Sequence, residues 1–222
     1  MGKTERPINT RLIENEQRLT PVYDVLEIVG EAGTGTTSTG LVLAELHDAR
    51  FISIGDIVGK INQGIWQGRL LEDGRELNVA IDKKVDRLGQ LIIRNALPQY
   101  PNTNGRRPVV VDSRMGAYFA IKGKQEAEEK GQPFPNVVKI KLTADEDVRI
   151  SRLSEREGIS KEEIRRITTR RDTMDSETYR KLQGQDVASN NFFDLIVDNS
   201  NLNVDQTVSS INQWLKRNNY VK

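Results

Sequence analysis

A glycine-rich loop between an apolar run and a helical pattern carries the residue types best suited to chemistry. It reads G-E-A-G-T-G-T-T-S from residue 30 to residue 38. Gly30 and Gly35 have the spacing of the phosphate-binding pattern G-x-x-x-x-G-K-[ST], and Thr37 falls on the hydroxyl that binds magnesium in that pattern. Glycines let backbone N–H groups turn inward around a phosphate, and the helix N-terminus adds partial positive charge. The loop therefore predicts a nucleoside triphosphate site.

The loop departs from the pattern at one position, where Thr36 replaces the lysine that reaches the β- and γ-phosphates. This replacement removes a charge-assisted contact of about 1.5–3 kcal/mol. We expect the phosphate cradle to survive and catalysis to be weakened. A glycine-rich turn that binds nothing is the alternative, but three glycines, Thr37 and Ser38 exceed what a turn requires. The expected ATP-binding residues are Gly30, Gly33, Thr34, Gly35, Thr36, Thr37 and Ser38.

Polar residues at the ends of two apolar runs are the next candidates, because open α/β sheets bind ligands at strand ends. Asp112 could hold magnesium through water or position the acceptor; the alternative is a carboxylate that caps a turn. Thr37 and Asp112 are the expected metal residues. Arg114, two residues later, points to the same side of a continuing strand and is the best candidate for a substrate phosphate. Ser53 and Asp56 end another run and predict substrate contacts, although Asp56 could instead cap the next helix.

Residues 149–181 form a locally basic segment, with ten Lys and Arg against seven Asp and Glu. Phosphoryl transfer needs cations against the charge on the transferring group, which directs attention to such arginines. Arg152 and Arg156 are four apart and share one helix face. The functional interpretation is a lid that closes over phosphates. The alternative is a pair of solvated helices with ion pairs such as Glu162 with Arg166.

The elements that must position these residues alternate between apolar runs and helical patterns, which predicts a parallel α/β sheet. The apolar runs predict strands at residues 25–29, 51–54, 109–112, 137–142 and 195–197. The helical patterns cover residues 37–45, most of 56–96, a helix broken by Gly158, 160–181 and 204–216. Residues 1–21 predict a polar N-terminal arm before one domain at 22–222, and about 120–136 predict a surface insertion.

Composition excludes several classes of protein. The chain has 33 Lys and Arg against 32 Asp and Glu, so no charge excess favours nucleic acid or an anionic membrane. It has no cysteine, which excludes disulfides and thiolate chemistry and suits a reducing cytoplasm. His47, the single histidine, predicts an ordinary surface residue. No apolar segment predicts a signal peptide or a membrane span, so we expect a cytoplasmic protein.

Several segments resemble the cytidylate kinase family in order and spacing across roughly residues 25–216. The loop is similar to the G-x-G-T-T form of the archaeal branch, which also has threonine in place of the lysine. The other similar segments are F-I-S-I-G-D at 51–56, V-V-V-D-S-R at 109–114, the R-x-x-R-x-x-x-R-E-G segment at 149–158 and D-L-I-V-D-N-S at 194–200. The family's arginine at the position of Arg114 grips the acceptor phosphate.

The resemblance implies a three-layer α/β P-loop kinase fold with a central parallel five-stranded sheet. A helical substrate-binding section would cover about 56–96, and a helical lid about 154–182. The resemblance also implies Mg²⁺ and ATP as donor, and CMP or dCMP as acceptor. Nucleotides are the expected partners, without nucleic acid or membrane, and a monomer or weak homo-oligomer is the expected state.

The lid departs from the family pattern R-E-x-S-E-R-x-R-Y. Only Arg171 matches, because Ser176 and Thr178 stand at the two later arginine positions, and Ser113 replaces a glycine before Arg114. The arginines with expected catalytic roles are Arg114, Arg152, Arg156 and Arg171. Two alternatives to the pyrimidine nucleotide kinase stay open. One is a kinase of this fold with another small acceptor, and the other is a nucleotide-binding regulator with little turnover.

Overall fold

A computed structural model of the chain describes residues 18–55, 107–183 and 190–222. Side chains are described in these ranges except at residue 171 and at residues 174–183. Most of the predicted arm lies outside the described residues. The same holds for the helical substrate-binding section at about 56–96, and therefore for the predicted substrate contact Asp56.

Five parallel strands form the centre of the molecule. They are β1 (Val25–Gly30), β2 (Arg50–Ser53), β3 (Val109–Asp112), β4 (Val137–Thr143) and β5 (Leu195–Asp198). Their order across the sheet is β2-β3-β1-β4-β5, and every neighbouring pair is parallel. The strand that leads into the glycine-rich loop is therefore the central one. The predicted five-stranded parallel sheet is confirmed.

Helices cover both faces of this sheet. They are α1 (Thr36–Leu46), α2 (Gly116–Glu129), α3 (Glu146–Glu157), α4 (Lys161–Gln183) and α5 (Val204–Arg217). Successive strand residues point to opposite faces, so Leu26 and Ile28 pack with α1 and α5, whereas Val25 lies in a separate cluster with Val109 and Val111. The result is three layers, as predicted. No helix in the described part of the chain is long and apolar enough to cross a membrane.

Helix α2 replaces most of the surface insertion that the sequence predicted at about 120–136. Two parallel strands need a crossover connection, and α2 is the crossover from β3 to β4. The helix carries a run of charged residues, but one side of it is apolar. On that side Phe119 and Ala120 are buried in a cluster with Met115. A Cβ on Gly123 would lie 2.9 Å from the Phe134 ring, so the loop after α2 packs back onto the helix.

The chain is already packed before residue 22, where the sequence placed the start of the domain. The Leu19 side chain is buried, and its N–H donates to the Leu46 carbonyl at the end of α1. Pro21 pairs antiparallel with Val221, which brings the two ends of the described chain together.

His47 is fully buried, so the prediction of a surface residue was wrong. Its Nε2 lies 2.9 Å from Asn212 Oδ1, and its Nδ1 lies 2.5 Å from the Tyr23 hydroxyl. An amide oxygen can only accept, so Nε2 donates to it and Nδ1 accepts from the tyrosine. Burial lowers the pKa of His47 to about 4. The neutral ring thereby links the end of α1 to α5.

We expect the contribution of His47 to the free energy of unfolding to fall as the pH decreases from about 6.5 to 4, because only the unfolded histidine binds a proton in that interval. The slope from His47 reaches about 1.4 kcal/mol per pH unit. Urea unfolding of the wild type and of His47→Gln between pH 7 and pH 4.5 measures it. The wild-type free energy minus that of the variant should decrease with this slope as the pH falls, and a difference that does not change with pH would contradict the assignment.

Candidate functional site

The glycine-rich loop connects β1 to α1 and has the backbone geometry of a phosphate cradle. Gly33 and Gly35 have φ values of +88° and +83°, which favour glycine and turn successive N–H groups inward. The buried Thr34 hydroxyl donates to the Glu31 carbonyl at 2.8 Å and closes the turn. Helix α1 begins at Thr36, directly after the loop, so its N-terminal N–H groups face the same space.

A buried amide anchors the loop to the segment that follows β5. Asn199 is 3% exposed, and its Nδ2 donates to the Thr34 carbonyl at 2.7 Å. Arg152 in turn donates from Nη1 to Asn199 Oδ1 at 3.1 Å and from Nη2 to the carbonyls of Asn199 and Leu202 at 2.8 and 3.2 Å. The sequence predicted a catalytic Arg152. In the structure, Arg152 contacts Asn199, and Asn199 contacts the loop. Asn199, which the sequence analysis did not single out, makes the direct contact.

Three hydroxyl and carboxyl groups meet at the carboxyl ends of the strands next to the loop. The Thr37 hydroxyl donates to Asp112 Oδ2 at 2.5 Å, and the Ser53 hydroxyl lies 3.4 Å from the same oxygen. They come from the first turn of α1 and the ends of β3 and β2, which the parallel order brings together. Mg²⁺ takes one or two protein oxygens in addition to waters and phosphates, so Thr37 and Asp112 fit this ion.

A buried acid lies behind this group. Glu27 in β1 is 1% exposed, and Ser113 donates to its Oε2 at 3.4 Å. Burial raises the pKa of Glu27 to about 8; the Ser113 hydrogen bond lowers it and the nearby Asp112 charge raises it. Glu27 is therefore mostly protonated at neutral pH and adds little negative charge beside Asp112. The sequence analysis missed it, although it is the single charged residue in an apolar strand.

We expect Gly116→Ala to destabilise the protein by about 1–3 kcal/mol, because the new Cβ would lie 1.8 Å from Glu27 Oε2. The closest overlap disappears when the carboxyl is removed, and the contact that remains is with the Ser113 hydroxyl at 2.6 Å, at the end of a small side chain. In Glu27→Ala, the same glycine substitution should therefore cost much less. Urea unfolding of the two single variants and the double variant measures this coupling. Additive losses would show that the two residues do not interact.

Two guanidinium groups approach one carboxylate of α4 beside the loop. Arg114 Nη1 lies 3.7 Å from Asp172 Oδ1, and Arg149 Nη1 lies 3.7 Å from Asp172 Oδ2. Arg149 also donates to the Ala32 carbonyl at 3.2 Å and pairs with Glu31 Oε2 at 3.0 Å. Arg114 follows β3, whereas Arg149 lies in the first turn of α3. The two arginines therefore bracket the space between the strand ends and the loop.

The sequence of the chain matches the model of the Cytidylate kinase-like family over residues 25–201. The chain belongs to this family. The cytidylate kinase of Ignicoccus hospitalis is 28% identical over 192 residues, which cover 86% of this chain and 98% of that relative. The cytidylate kinase of Methanopyrus kandleri is 28% identical over 188 residues, which cover 83% and 89%. The predicted resemblance and the prediction of a nucleoside monophosphate kinase are confirmed.

Solved structures agree with the family assignment at the level of the fold. An uncharacterized protein from Eubacterium ventriosum superposes with a TM-score of 0.59 at 14% identity. A shikimate kinase from Bacteroides thetaiotaomicron superposes with a TM-score of 0.52 at 11% identity. Each covers 86% of this chain and 98% of its own. The three-layer P-loop kinase fold is confirmed.

The remaining predicted arginines of this family member lie elsewhere or are not described. Arg156 is exposed and pairs with Glu157 at 2.7 Å, so the structure does not bring it to the loop. The side chain of Arg171 lies outside the described residues. Arg166 pairs with Glu163, not with Glu162 as the solvated-helix alternative had it. Arg149 was missed as a site residue, although it opens the arginine-rich segment that resembles the family motif.

Proposed function

We propose that this protein transfers the γ-phosphate of ATP to a pyrimidine nucleoside monophosphate, with CMP or dCMP as the acceptor. One observation carries the proposal. The phosphate loop, the oxygen pair of Thr37 and Asp112, and the arginine pair of Arg114 and Arg149 converge at one edge of the sheet. The two relatives above support the acceptor, because both are named cytidylate kinases.

The loop and the first turn of α1 bind the donor. The N–H groups between Glu31 and Thr37 surround its phosphates, and the helix N-terminus favours their negative charge. Thr37 and Asp112 would hold Mg²⁺, which would supply positive charge against the negative charge that develops during transfer. The Asn199 amide donates to the Thr34 carbonyl and so keeps this oxygen turned away from the phosphates. The predicted donor contacts at Gly30, Gly33, Gly35, Thr36 and Ser38 belong to this arrangement.

Arg114 binds the acceptor on the opposite side of the transferring group. An oxygen of the acceptor phosphate forms a new bond to the γ-phosphorus as the bond to the bridging oxygen breaks, and that electron pair leaves with ADP. The chain contributes position and charge rather than a covalent step. The Ser53 hydroxyl orients the Asp112 carboxylate from the acceptor side. The protonated Glu27 lies behind this carboxylate and adds little electrostatic repulsion to it.

We expect Arg114→Ala to raise the KM for CMP about 10- to 150-fold, as for the loss of a hydrogen-bonded charge, and to leave the affinity for ADP within about threefold. Steady-state ADP production with CMP, dCMP, UMP and AMP offered separately measures the first quantity, and calorimetry measures the second. Wild-type turnover should be on the order of 1–100 per second with CMP or dCMP.

Arg156→Ala is the matched control, because this arginine is exposed and makes a surface ion pair. Its KM for CMP should equal that of the wild type. Equal losses for CMP and ADP in Arg114→Ala, or no loss, would contradict the role of Arg114. Thr36, which carries no charge, favours a second candidate function, a nucleotide-binding protein with little turnover. ADP binding without turnover on any acceptor would support it.

A further inference from the structure

The phosphate loop lacks its usual cation, and a different cation contacts it. Helix α1 begins at Thr36, whose hydroxyl carries no charge where the pattern has lysine. Arg149 in α3 reaches the tip of the loop, where it donates to the Ala32 carbonyl at 3.2 Å and pairs with Glu31 at 3.0 Å. Its backbone also packs under the loop, since a Cβ on Gly33 would lie 2.7 Å from the Arg149 carbonyl.

We propose that Arg149 binds the donor phosphates and supplies the charge that position 36 lacks. The inference rests on the proposed function, because it assigns a residue to the donor side of that site. An arginine keeps its charge when buried and offers several donors in fixed geometry, which suits a phosphate held against a loop. The cation thus comes from a helix that is remote in sequence instead of from the loop itself.

The hydrogen bonding of Arg149 is incomplete in a way that points to an anionic ligand. The side chain is 8% exposed, and its Nε has no hydrogen-bond partner among the described residues. A buried donor without a partner costs about 1–3 kcal/mol, so native proteins seldom retain one without a reason. A phosphate oxygen would satisfy this donor with an acceptor of opposite charge.

Arg152, one turn further along α3, has a different set of partners in the same region. Its guanidinium donates to three neutral oxygens at 2.8–3.2 Å. Arg149 instead faces two carboxylates, of which the one on Glu31 belongs to a 60% exposed side chain. Carboxylates resemble phosphates as acceptors, and an exposed one can move aside. The surroundings of Arg149 therefore suit the exchange of an internal anion for a bound one.

Asp172 marks the position of that anion. Its two oxygens lie 3.7 Å from Arg114 and from Arg149, too far for short hydrogen bonds. One negative group is thus shared between the arginine of the acceptor side and the arginine of the loop. The transferring phosphoryl group must lie between donor and acceptor, and it carries the charge that both arginines can bind.

A double-mutant cycle on Thr36 and Arg149 tests the proposal through binding alone. The four proteins are the wild type, Thr36→Lys, Arg149→Gln and the double variant, and calorimetry measures their affinity for the non-hydrolysable analogue β,γ-imido-ATP with Mg²⁺. We expect Arg149→Gln to weaken binding about 10- to 150-fold, as for a lost charged hydrogen bond. Thr36→Lys should improve binding less than about threefold in the wild type and about tenfold or more in Arg149→Gln.

Unchanged affinity in Arg149→Gln would overturn the proposal, and so would an equal effect of Thr36→Lys in both backgrounds. Thermal unfolding of each variant shows whether a loss of binding reflects a loss of the fold.

Glu31→Gln gives a second measurement at an exposed position. Removal of the carboxylate that holds Arg149 should tighten analogue binding about threefold or more, on the order of a surface ion pair. Unchanged or weaker binding would contradict the proposal.

These measurements separate the inference from the proposed function. The cycle needs no acceptor and no turnover, so an absence of CMP phosphorylation would contradict the proposed function and leave the cycle valid. A wild type that does not bind the analogue would contradict both, because there would be no donor site for Arg149 to complete.

Discussion

Asp112→Asn is expected to lower kcat about 100-fold or more while the protein remains folded. Asp112 Oδ2 receives the Thr37 hydroxyl at 2.5 Å and lies 3.4 Å from the Ser53 hydroxyl, and asparagine keeps this shape without the charge. A bound metal ion contributes several kcal/mol to the stabilisation of transition-state charge, and each 1.4 kcal/mol changes the rate tenfold. Magnesium titrations of kcat and of ADP affinity should both show a much weaker dependence in the variant.

Ser53→Ala is the control for Asp112→Asn. It removes a neighbour of the same carboxylate oxygen without removing charge, so kcat should stay within about fivefold of the wild type, as for one neutral hydrogen bond. If Asp112→Asn kept the magnesium dependence of the wild type, the metal site formed with Thr37 would be wrong.

Gly33→Ala is expected to destabilise the protein by about 2–5 kcal/mol and to weaken nucleotide binding. Two costs combine at this position. The φ of +88° is unfavourable for any residue with a Cβ, by about 1–2 kcal/mol. The added Cβ would also lie 2.7 Å from the Arg149 carbonyl oxygen and 3.0 Å from its Cα, which forces the loop away from α3 at a further cost of about 1–3 kcal/mol. Urea unfolding and calorimetry with the ATP analogue measure both effects.

Gly158→Ala separates these two costs. Gly158 ends α3 with a φ of +69°, and no described atom lies within 4 Å of the Cβ that alanine would add there. It therefore carries only the backbone cost and should leave nucleotide binding unchanged. Equal losses of stability in the two variants would show that the close contact between Gly33 and Arg149 adds no cost to the backbone cost.

Local patterns in the sequence were sufficient for the sheet and for part of the site. Apolar runs located all five strands. The inner strands β1 and β3 are buried on both faces and read as mostly apolar residues, whereas β4 alternates buried apolar residues with Lys139 and Lys141. The spacing of Gly30 and Gly35 located the loop. The loop pattern and the rule that ligands bind at the ends of parallel strands made Thr37 and Asp112 the expected magnesium residues, and the structure brings these two side chains together.

The arginines of α3 show why the rest could not be predicted. Arg149 and Arg156 are seven positions apart, so they lie on nearly the same side of the helix. The loop covers only the first turn of α3, and consequently Arg149 is buried whereas Arg156 is exposed. The sequence shows the charges and the period, but the point at which another segment crosses the helix depends on tertiary packing.

His47 and Asn199 were missed for a related reason. Both are polar residues next to a loop, which is typical of the surface. Their burial depends on partners that are distant in sequence: Tyr23 and Asn212 for the histidine, and Thr34 for the asparagine. A sequence shows no local sign of such pairing, whereas the alternation of apolar and polar residues is local by nature.

The bond from Asn199 to the Thr34 carbonyl has a consequence for the timing of nucleotide binding. Because this bond and the three hydrogen bonds that Arg152 donates form during folding, the loop is preorganised before a nucleotide arrives. Its conformational entropy is lost when the chain folds, not when the ligand binds. Substitutions of Asn199, which follows β5 and donates to the loop, should therefore alter nucleotide affinity by restoring freedom to the loop.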